Sequence, residues 1–277
     1  MYKSPMGNIF PIINHEKCIN CGFCYNICPC TDETGLTTLN EQDTFAGHYI
    51  STYTGRTLDN TIYHNSQSGG LVTQTLSYLF DANKIDAAIV CKQDYGNVRP
   101  VVKPFIVTCK DELLATQGSS YTPVDIVSAI NSVSGYNSVA IVGLPCHLQG
   151  IDSLIVKTNK YGNIRYKLGL ICDRVLSEAV DDILINLVKT KGNIKIPRKI
   201  KWRDKRNASY KNAPVVIEYE NNYSEVIPAA KRHMLKNDFT SPRCRICFDK
   251  LNIHADIVFG DPWGMNNIDW ENGESLE

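Results

Sequence analysis

Four cysteines near the start of the chain, Cys18, Cys21, Cys24 and Cys28, are spaced at three, three and four residues, and Pro29 follows directly. This is the C-x2-C-x2-C-x3-C-P run that holds 4Fe-4S clusters in bacterial-type ferredoxins. A cubane offers one open position on each iron, so a short loop with a thiolate every third residue can wrap three corners without regular structure. Gly22, lacking a Cβ, relieves crowding where the backbone passes the inorganic sulfides. Pro29 fixes φ and turns the chain away from the site. A zinc ribbon is the alternative, because Cys18 and Cys21 alone would supply half of a four-cysteine zinc site. The complete register with its proline exceeds what a ribbon needs and favours the cluster.

In two-cluster ferredoxins the cysteine before proline ligates the other cluster, so the motif asks for further thiols elsewhere. The chain has eleven cysteines in all. Cys146 closes the run Asn137-Ser-Val-Ala-Ile-Val-Gly-Leu-Pro-Cys, Cys172 closes Ile164-Arg-Tyr-Lys-Leu-Gly-Leu-Ile-Cys, and Cys244 and Cys247 form a C-x2-C pair. With the first four they make eight ligands, enough for two 4Fe-4S clusters. By the ferredoxin rule Cys28 is expected to join the distal set while one distal cysteine joins Cys18, Cys21 and Cys24. Cys30, Cys91 and Cys109 read as spare or packing thiols.

The elements that must position these residues are legible in the pattern. Leu71, Val72, Leu76, Leu79 and Phe80 form a helical stripe after Ser68-Gly-Gly70, with Ser68 as the expected N-cap. Ile85 to Cys91 and Val101 to Thr108 read as a hairpin. Thr122-Pro123 predicts the start of a helix running to about Val133. The runs ending at Cys146 and Cys172 read as strand, turn and helix, the second helix capped by Ser177. Open α/β sheets bind ligands at such strand ends. Ile194 to Trp202, Pro214 to Tyr219 and Ala255 to Phe259 read as further strands, and residues 31 to 59 as a polar linker.

The totals set the class. A chain of 277 residues with 43% hydrophobic and 21% charged residues fits one large domain with a small appendage, or two domains. Formal net charge is zero, which points away from nucleic acid and anionic membranes as bulk partners. No apolar run approaches a membrane span, and the first residues lack a signal-peptide core. Cysteines in C-x2-C units without such a signal fit metal ligation in a reducing compartment, so the expected location is the cytoplasm.

Taken in order, the ferredoxin-like motif, Ser66-x-Ser68-Gly-Gly70, Gly143-x-Pro-Cys146, Gly169-Leu-x-Cys172, Cys244-x2-Cys247 and Ala255-Asp-Ile-x-x-Gly-Asp-x-Trp-Gly264 make the chain resemble the coenzyme F420 hydrogenase/dehydrogenase β-subunit family. That family includes enzymes of the 7-hydroxymethyl chlorophyll a reductase type, and the resemblance covers about residues 14 to 265. It implies an α+β / α/β protein with a small ferredoxin-like 4Fe-4S region, residues 1–40, ahead of a larger mixed-sheet flavin-binding domain, residues 41–277. It also implies an FAD-dependent iron-sulfur oxidoreductase with two 4Fe-4S clusters. By the same resemblance Ser66, Ser68, Gly69, Gly70, Gly118, Ser119 and Tyr121 contact the flavin, and Cys146, Cys172, Cys244 and Cys247 hold a cluster beside it. No side chain is expected to act as a nucleophile.

The implied partners are a small redox substrate, coenzyme F420 or another hydride carrier, and an electron-transfer protein or subunit. Two positions depart from the family pattern: His147 stands where Gln is usual and Ser120 where a basic residue is usual. His147 reads as a helix-start residue. Relatives of this kind continue past Glu277, so the C-terminus reads as shortened. A non-catalytic electron carrier and a zinc-stabilised interaction protein are the competing functions.

Overall fold

Tyr2–Lys3 (β1) and Ile9–Phe10 (β2) pair antiparallel ahead of the cysteine motif. The computed structural model describes residues 2–31, 47–94, 96–188, 196–206 and 208–277. The expected domain boundary after residue 40 and most of the expected linker lie outside the described residues. Phe23–Ile27 (α1) belongs to the cysteine motif, and Thr54–Gly55 (β3) and Asn60–Asn65 (α2) follow. Asp59 opens α2 by accepting from the Thr61 and Ile62 N–H groups, the usual way a carboxylate satisfies the unpaired donors of a helix start.

The main sheet is built from period-2 alternation. Leu71–Asp81 (α3) precedes Ala87–Asp94 (β4) and Val101–Val107 (β5), the expected hairpin. Lys110–Leu114 (α4) and a 3-10 segment, Ile126–Val133, lead to Val139–Gly143 (β6), Pro145–Thr158 (α5) and Ile164–Leu170 (β7). With Ile257–Phe259 (β11) these strands order as β11-β7-β6-β4-β5, parallel except for the edge strand β5. Ala87, Ile89, Val139 and Ile141 face the 3-10 segment and α5, where Ile130, Leu148 and Ile151 meet them. Their neighbours Ala88, Val90 and Ala140 face the other way, against Leu76 and Leu79 of α3 and Leu113 of α4. Successive strand residues point to opposite faces, so a continuous apolar run can fill two cores at once.

A smaller antiparallel sheet stands beside it. Ala179–Val188 (α6) is followed by Lys199–Lys201 (β8), Val215–Glu218 (β9) and Ser224–Ile227 (β10), ordered β10-β9-β8. Leu184 of α6 packs with Trp202, Val215 and Ile217 in its core. Ala229–Phe239 (α7), Pro242–Arg245 (α8) and Ser275–Leu276 (β12) complete the fold, and β12 pairs with β3. The mixed architecture agrees with the fold class read from the sequence. Among the described residues no helix is long and apolar enough to cross a membrane.

Three local expectations need correction. Gly70, with φ 80°, caps α3, not Ser68; the Ser68 hydroxyl donates instead to the Glu274 carbonyl at 2.9 Å. The helix expected from Thr122-Pro123 starts only at Ile126 as a 3-10 segment, because Asp125 accepts from Ser128 N–H at 3.2 Å and is the cap. Ser177 does not cap α6: its hydroxyl has no hydrogen-bond partner in the structure. The Gly7 carbonyl instead accepts from Glu178 N–H at 3.2 Å, so the β1–β2 turn occupies that helix start.

Candidate functional site

Adjacent parallel strands deliver the first two distal cysteines. Leu144 and Pro145 follow β6, and Cys146 lies in the first turn of α5, where proline is pre-organised for the helix and its missing N–H costs nothing. Cys172 follows β7 by two residues, and its N–H donates to the Lys250 carbonyl at 3.0 Å. Cys244 lies in α8 and its Sγ accepts from Val175 N–H at 3.4 Å, while Cys247 Sγ lies 3.5 Å from the Asp249 carbonyl. Cys146 feels the charges of Cys172, Cys244 and Cys247, so residues up to 101 positions apart in sequence share one locality.

Burial first, and then the neighbouring thiols, push Cys146 up to about 12. Cys172 is raised to about 12 in the same way, by burial and then by Cys244. Cys146 is nevertheless reachable by solvent. Bound metal reverses this preference, because a coordinated thiol is deprotonated outright. Among the described residues no three His, Cys, Asp or Glu side chains close to the radius of a single metal ion. A cubane carries its ligands on four separate corners and calls for a looser ring of sulfurs. Cys146, Cys172, Cys244 and Cys247 supply four thiols, the donor type and number that one cubane takes.

The N-terminal motif docks on the same helix. Asn20 and Gly22 both adopt positive φ, 54° and 70°, so Gly22 is required by backbone sign; an added Cβ would meet nothing nearer than 3.8 Å. Cys24 lies in α1, Cys28 is its C-cap, and Cys21 and Cys24 are exposed. A Cβ on Gly150 of α5 would lie 3.5 Å from Pro29 Cδ, and Arg243 donates to the Pro29 carbonyl at 3.1 Å. Cys30, which reads from the sequence as a spare or packing thiol, is exposed, and its N–H donates to Cys28 Sγ at 3.4 Å. Cys91 sits against the main core with its thiol raised to about 11 by burial, in keeping with a packing role.

A separate polar region gathers the hydroxyl loops. Ser66 Oγ donates within its own turn, to the Tyr63 and Ser68 carbonyls, both at 2.8 Å. Gly69 N–H donates to Ser275 Oγ at 3.0 Å, and a Cβ there would lie 2.5 Å from the Gly55 carbonyl oxygen. Gly69 is therefore glycine because β3 and β12 press on it. Gln67 Nε2 donates to the Ser119 carbonyl at 3.3 Å, which joins this loop to Gly118-Ser-Ser-Tyr121. The Tyr121 ring lies 5.0 Å from Trp202. Gln67 Oε1 and Gln117 Oε1 are both buried without a partner, an uncommon state for amide oxygens.

Six of the nine residues from Arg198 to Arg206 are basic, a signal not used in reading Ile194 to Trp202 as a strand. Lys205 donates to Ser68 O at 2.6 Å and Ser66 Oγ at 3.2 Å. Burial, then Arg56 and Arg203, depress it to about 8. Lys199 donates to the Gln117 carbonyl at 3.1 Å and borders both the narrow cleft beside Ser66 and an adjoining cavity of about 680 Å³. Burial opposes ionisation of Asp261, but Arg203 at 2.6 Å overcomes it and holds the carboxyl below its usual range.

The polar region and the distal cysteines meet at Gly260. Ile171 N–H donates to the Phe259 carbonyl at 2.8 Å, and a Cβ on Gly260 would lie 2.4 Å from Ile171 Cδ1. Cys172 follows Ile171 and Asp261 follows Gly260. His147 Nδ1 accepts from Leu144 N–H at 3.4 Å, and burial lowers its pKa to about 4; it serves the helix start, as its position suggests.

Comparison with known proteins matches residues 52–131 to the N-terminal model, and residues 136–274 to the C-terminal model, of the coenzyme F420 hydrogenase/dehydrogenase beta subunit. The beta subunit of the coenzyme F420 hydrogenase of Methanosarcina barkeri is 21% identical over 242 residues, covering 82% of this chain and 76% of the relative. A subunit of the F(420)H(2) dehydrogenase of Methanosarcina mazei is 24% identical over 272 residues, covering 91% of this chain and 66% of the relative. Among solved structures, a chain of the F420-reducing [NiFe] hydrogenase complex from Methanosarcina barkeri shares the fold, with a TM-score of 0.63 at 20% identity over 84% of this chain and 76% of that one.

Proposed function

We propose, for a chain that belongs to the coenzyme F420 hydrogenase/dehydrogenase beta-subunit family, that it is an FAD-dependent iron-sulfur oxidoreductase subunit, passing electrons between a hydride carrier such as coenzyme F420 and a partner protein. The observation that carries this reading is the gathering of Cys146, Cys172, Cys244 and Cys247 at the carboxyl edge of the main sheet, where Ile171, the residue before Cys172, packs on Gly260, the residue before Asp261.

When bound, a flavin exchanges two electrons as hydride and a 4Fe-4S cluster exchanges one at a time, so the pair converts between the two modes. Cys18, Cys21, Cys24 and Cys28 together with Cys146, Cys172, Cys244 and Cys247 would hold the two clusters. Ser66, Ser68, Gly69, Gly70, Gly118, Ser119 and Tyr121 would line the flavin. Lys199 and Lys205 place positive charge beside those loops, suited to a pyrophosphate. Gln67 and Gln117 border the narrow cleft beside Ser66. Trp202, buried in the core of the small sheet, backs the Tyr121 ring, and Asp261 stays ionised against Arg203, which keeps the basic segment from being uniformly positive. The ferredoxin-like region of residues 1–40 would form the exit toward the partner, since Cys21 and Cys24 are exposed.

Anaerobic purification followed by iron, sulfide and flavin analysis tests the reading. The expected sample is brown, bleaches with dithionite, and has its flavin reduced by reduced F420. A colourless zinc-loaded sample without flavin would overturn it.

A further inference from the structure

The cavity of about 680 Å³ beside Lys199 lies on the seam between the two sheets, and of the seven residues assigned to the flavin only Gly118 lines it. Gln93, near the end of β4, makes the seam. Its Nε2 donates to the Ile200 carbonyl at 2.8 Å and its Oε1 accepts from Ile200 N–H at 2.9 Å, so one side chain pairs with β8 as a strand would. Lys92 and Lys199, the neighbours of that pair, both line the cavity. Tyr219 and Tyr223, from the turn between β9 and β10, line it as well, with ring centroids 5.7 Å apart.

The charges of this lining do not cancel. Asp94 is paired with Lys103, Glu218 with Lys201 and Arg206, and Arg198 with Glu220. Among the described residues Lys92 and Lys199 have no carboxylate partner. The Lys92 ammonium lies over the Phe105 ring, 4.7 Å from its centroid, and Lys199 donates to the Gln117 carbonyl. Two uncompensated cations in one cavity favour an anion, and the volume is that of an ordinary small-molecule site.

We infer that the seam cavity takes the ADP half of FAD, with the phosphates toward Lys92 and Lys199 and the adenine on the side of Tyr219 and Tyr223. The inference rests on the flavin reading above: Gln117 and Gly118 border both this cavity and the cleft beside Ser66, so the two adjoin at the flavin loop. It makes the chain selective for FAD over FMN, which lacks the part that the cavity receives.

Calorimetric titration of the flavin-free full chain with ADP, inorganic pyrophosphate, FAD and FMN tests this without reference to activity. The parent is expected to bind ADP, to release it to FAD, and to bind FAD more tightly than FMN. Lys92→Met keeps the stem over Phe105 and removes the charge; it is expected to weaken ADP and FAD by about tenfold and to leave FMN unchanged. Lys84→Met removes the same charge from an exposed position ahead of β4 and is expected to change none of them. Tyr223→Ala is expected to weaken ADP while sparing pyrophosphate, with circular dichroism confirming the fold of each variant. Absence of ADP binding, or equal FAD and FMN affinities in the parent, would overturn the inference and leave the flavin reading intact. Unaltered ADP binding in both Lys92→Met and Tyr223→Ala would overturn it as well. A chain that binds ADP but neither flavin would remove the flavin reading and keep the cavity as a nucleotide site.

Discussion

Asn252 and Gly143 are tied by a buried hydrogen bond: Asn252 Nδ2 donates to the Gly143 carbonyl at 2.9 Å, and also to the Leu170 carbonyl at 3.2 Å. Asn252 is fully buried, with φ 63°. One side chain thus joins the ends of β6 and β7, which lead to Cys146 and Cys172, to the loop that follows Cys247. Asn252→Ala leaves buried carbonyls short of a donor, at about 1–3 kcal/mol for each acceptor left unpaired. A lower unfolding midpoint in urea is expected, with selective loss of the distal cluster's electron paramagnetic resonance signal; an unchanged signal would deny Asn252 its positioning role.

Lys205 carries the second prediction. Its ammonium holds Ser66 Oγ and Ser68 O together and lies 3.6 Å from the Tyr63 ring centroid. Lys205→Met keeps the stem and removes the charge and donors. Charged hydrogen bonds contribute about 1.5–3 kcal/mol, so flavin affinity is expected to fall by roughly 10- to 100-fold. Equilibrium dialysis of the flavin checks this, with circular dichroism confirming the fold.

Gly69→Ala tests what the glycine is for. The new Cβ would lie 2.5 Å from Gly55 O and 2.6 Å from Ser275 N, both backbone atoms that cannot swing aside. Overpacking of this kind costs about 1–3 kcal/mol. The expected result is a lower thermal midpoint at saturating FAD as well as without it; a variant fully rescued by flavin would mean that the glycine serves the ligand instead.

Asp181 predicts a pH dependence. Burial raises its carboxyl to about 7 from an ordinary 3.8, and Oδ1 has no hydrogen-bond partner in the structure. Between those values the folded state holds a proton that the unfolded state has released, so this residue's contribution to stability falls as pH rises from about 4 to about 7. Asp181→Asn removes the dependence. Its unfolding midpoint is expected to exceed the parent's above pH 7, with the gain shrinking toward pH 4. A difference that does not vary with pH would contradict the assignment.

Much of the fold was legible because it follows local periodicity. The β4–β5 hairpin and the strands ending before Cys146 and Cys172 are set by alternation and by turn residues close in sequence. The helix starts at Ser68, Thr122 and Ser177 were misread, because each expected capping group was displaced or bound by something distant. Glu274 draws off Ser68, Asp125 outcompetes Thr122, and Gly7 satisfies the start that Ser177 was expected to cap. The basic segment Arg198–Arg206 was visible as composition, but its meaning depends on Ser66 and Ser68, which lie 137 and more residues before Lys205.

The amino-acid order by itself determined the chemistry on offer: thiol spacings, the proline after Cys28, and hydroxyl and glycine loops at strand-to-helix junctions. Those are properties of neighbours along the chain, fixed by covalent geometry and short-range sterics. Tertiary structure alone decided which thiols share a locality, seating Pro29 beside Gly150 on the helix that carries Cys146, and which hydroxyls stand beside Lys205. Such meetings depend on how two helices and a sheet edge pack, and packing is set by shape and burial across the whole core.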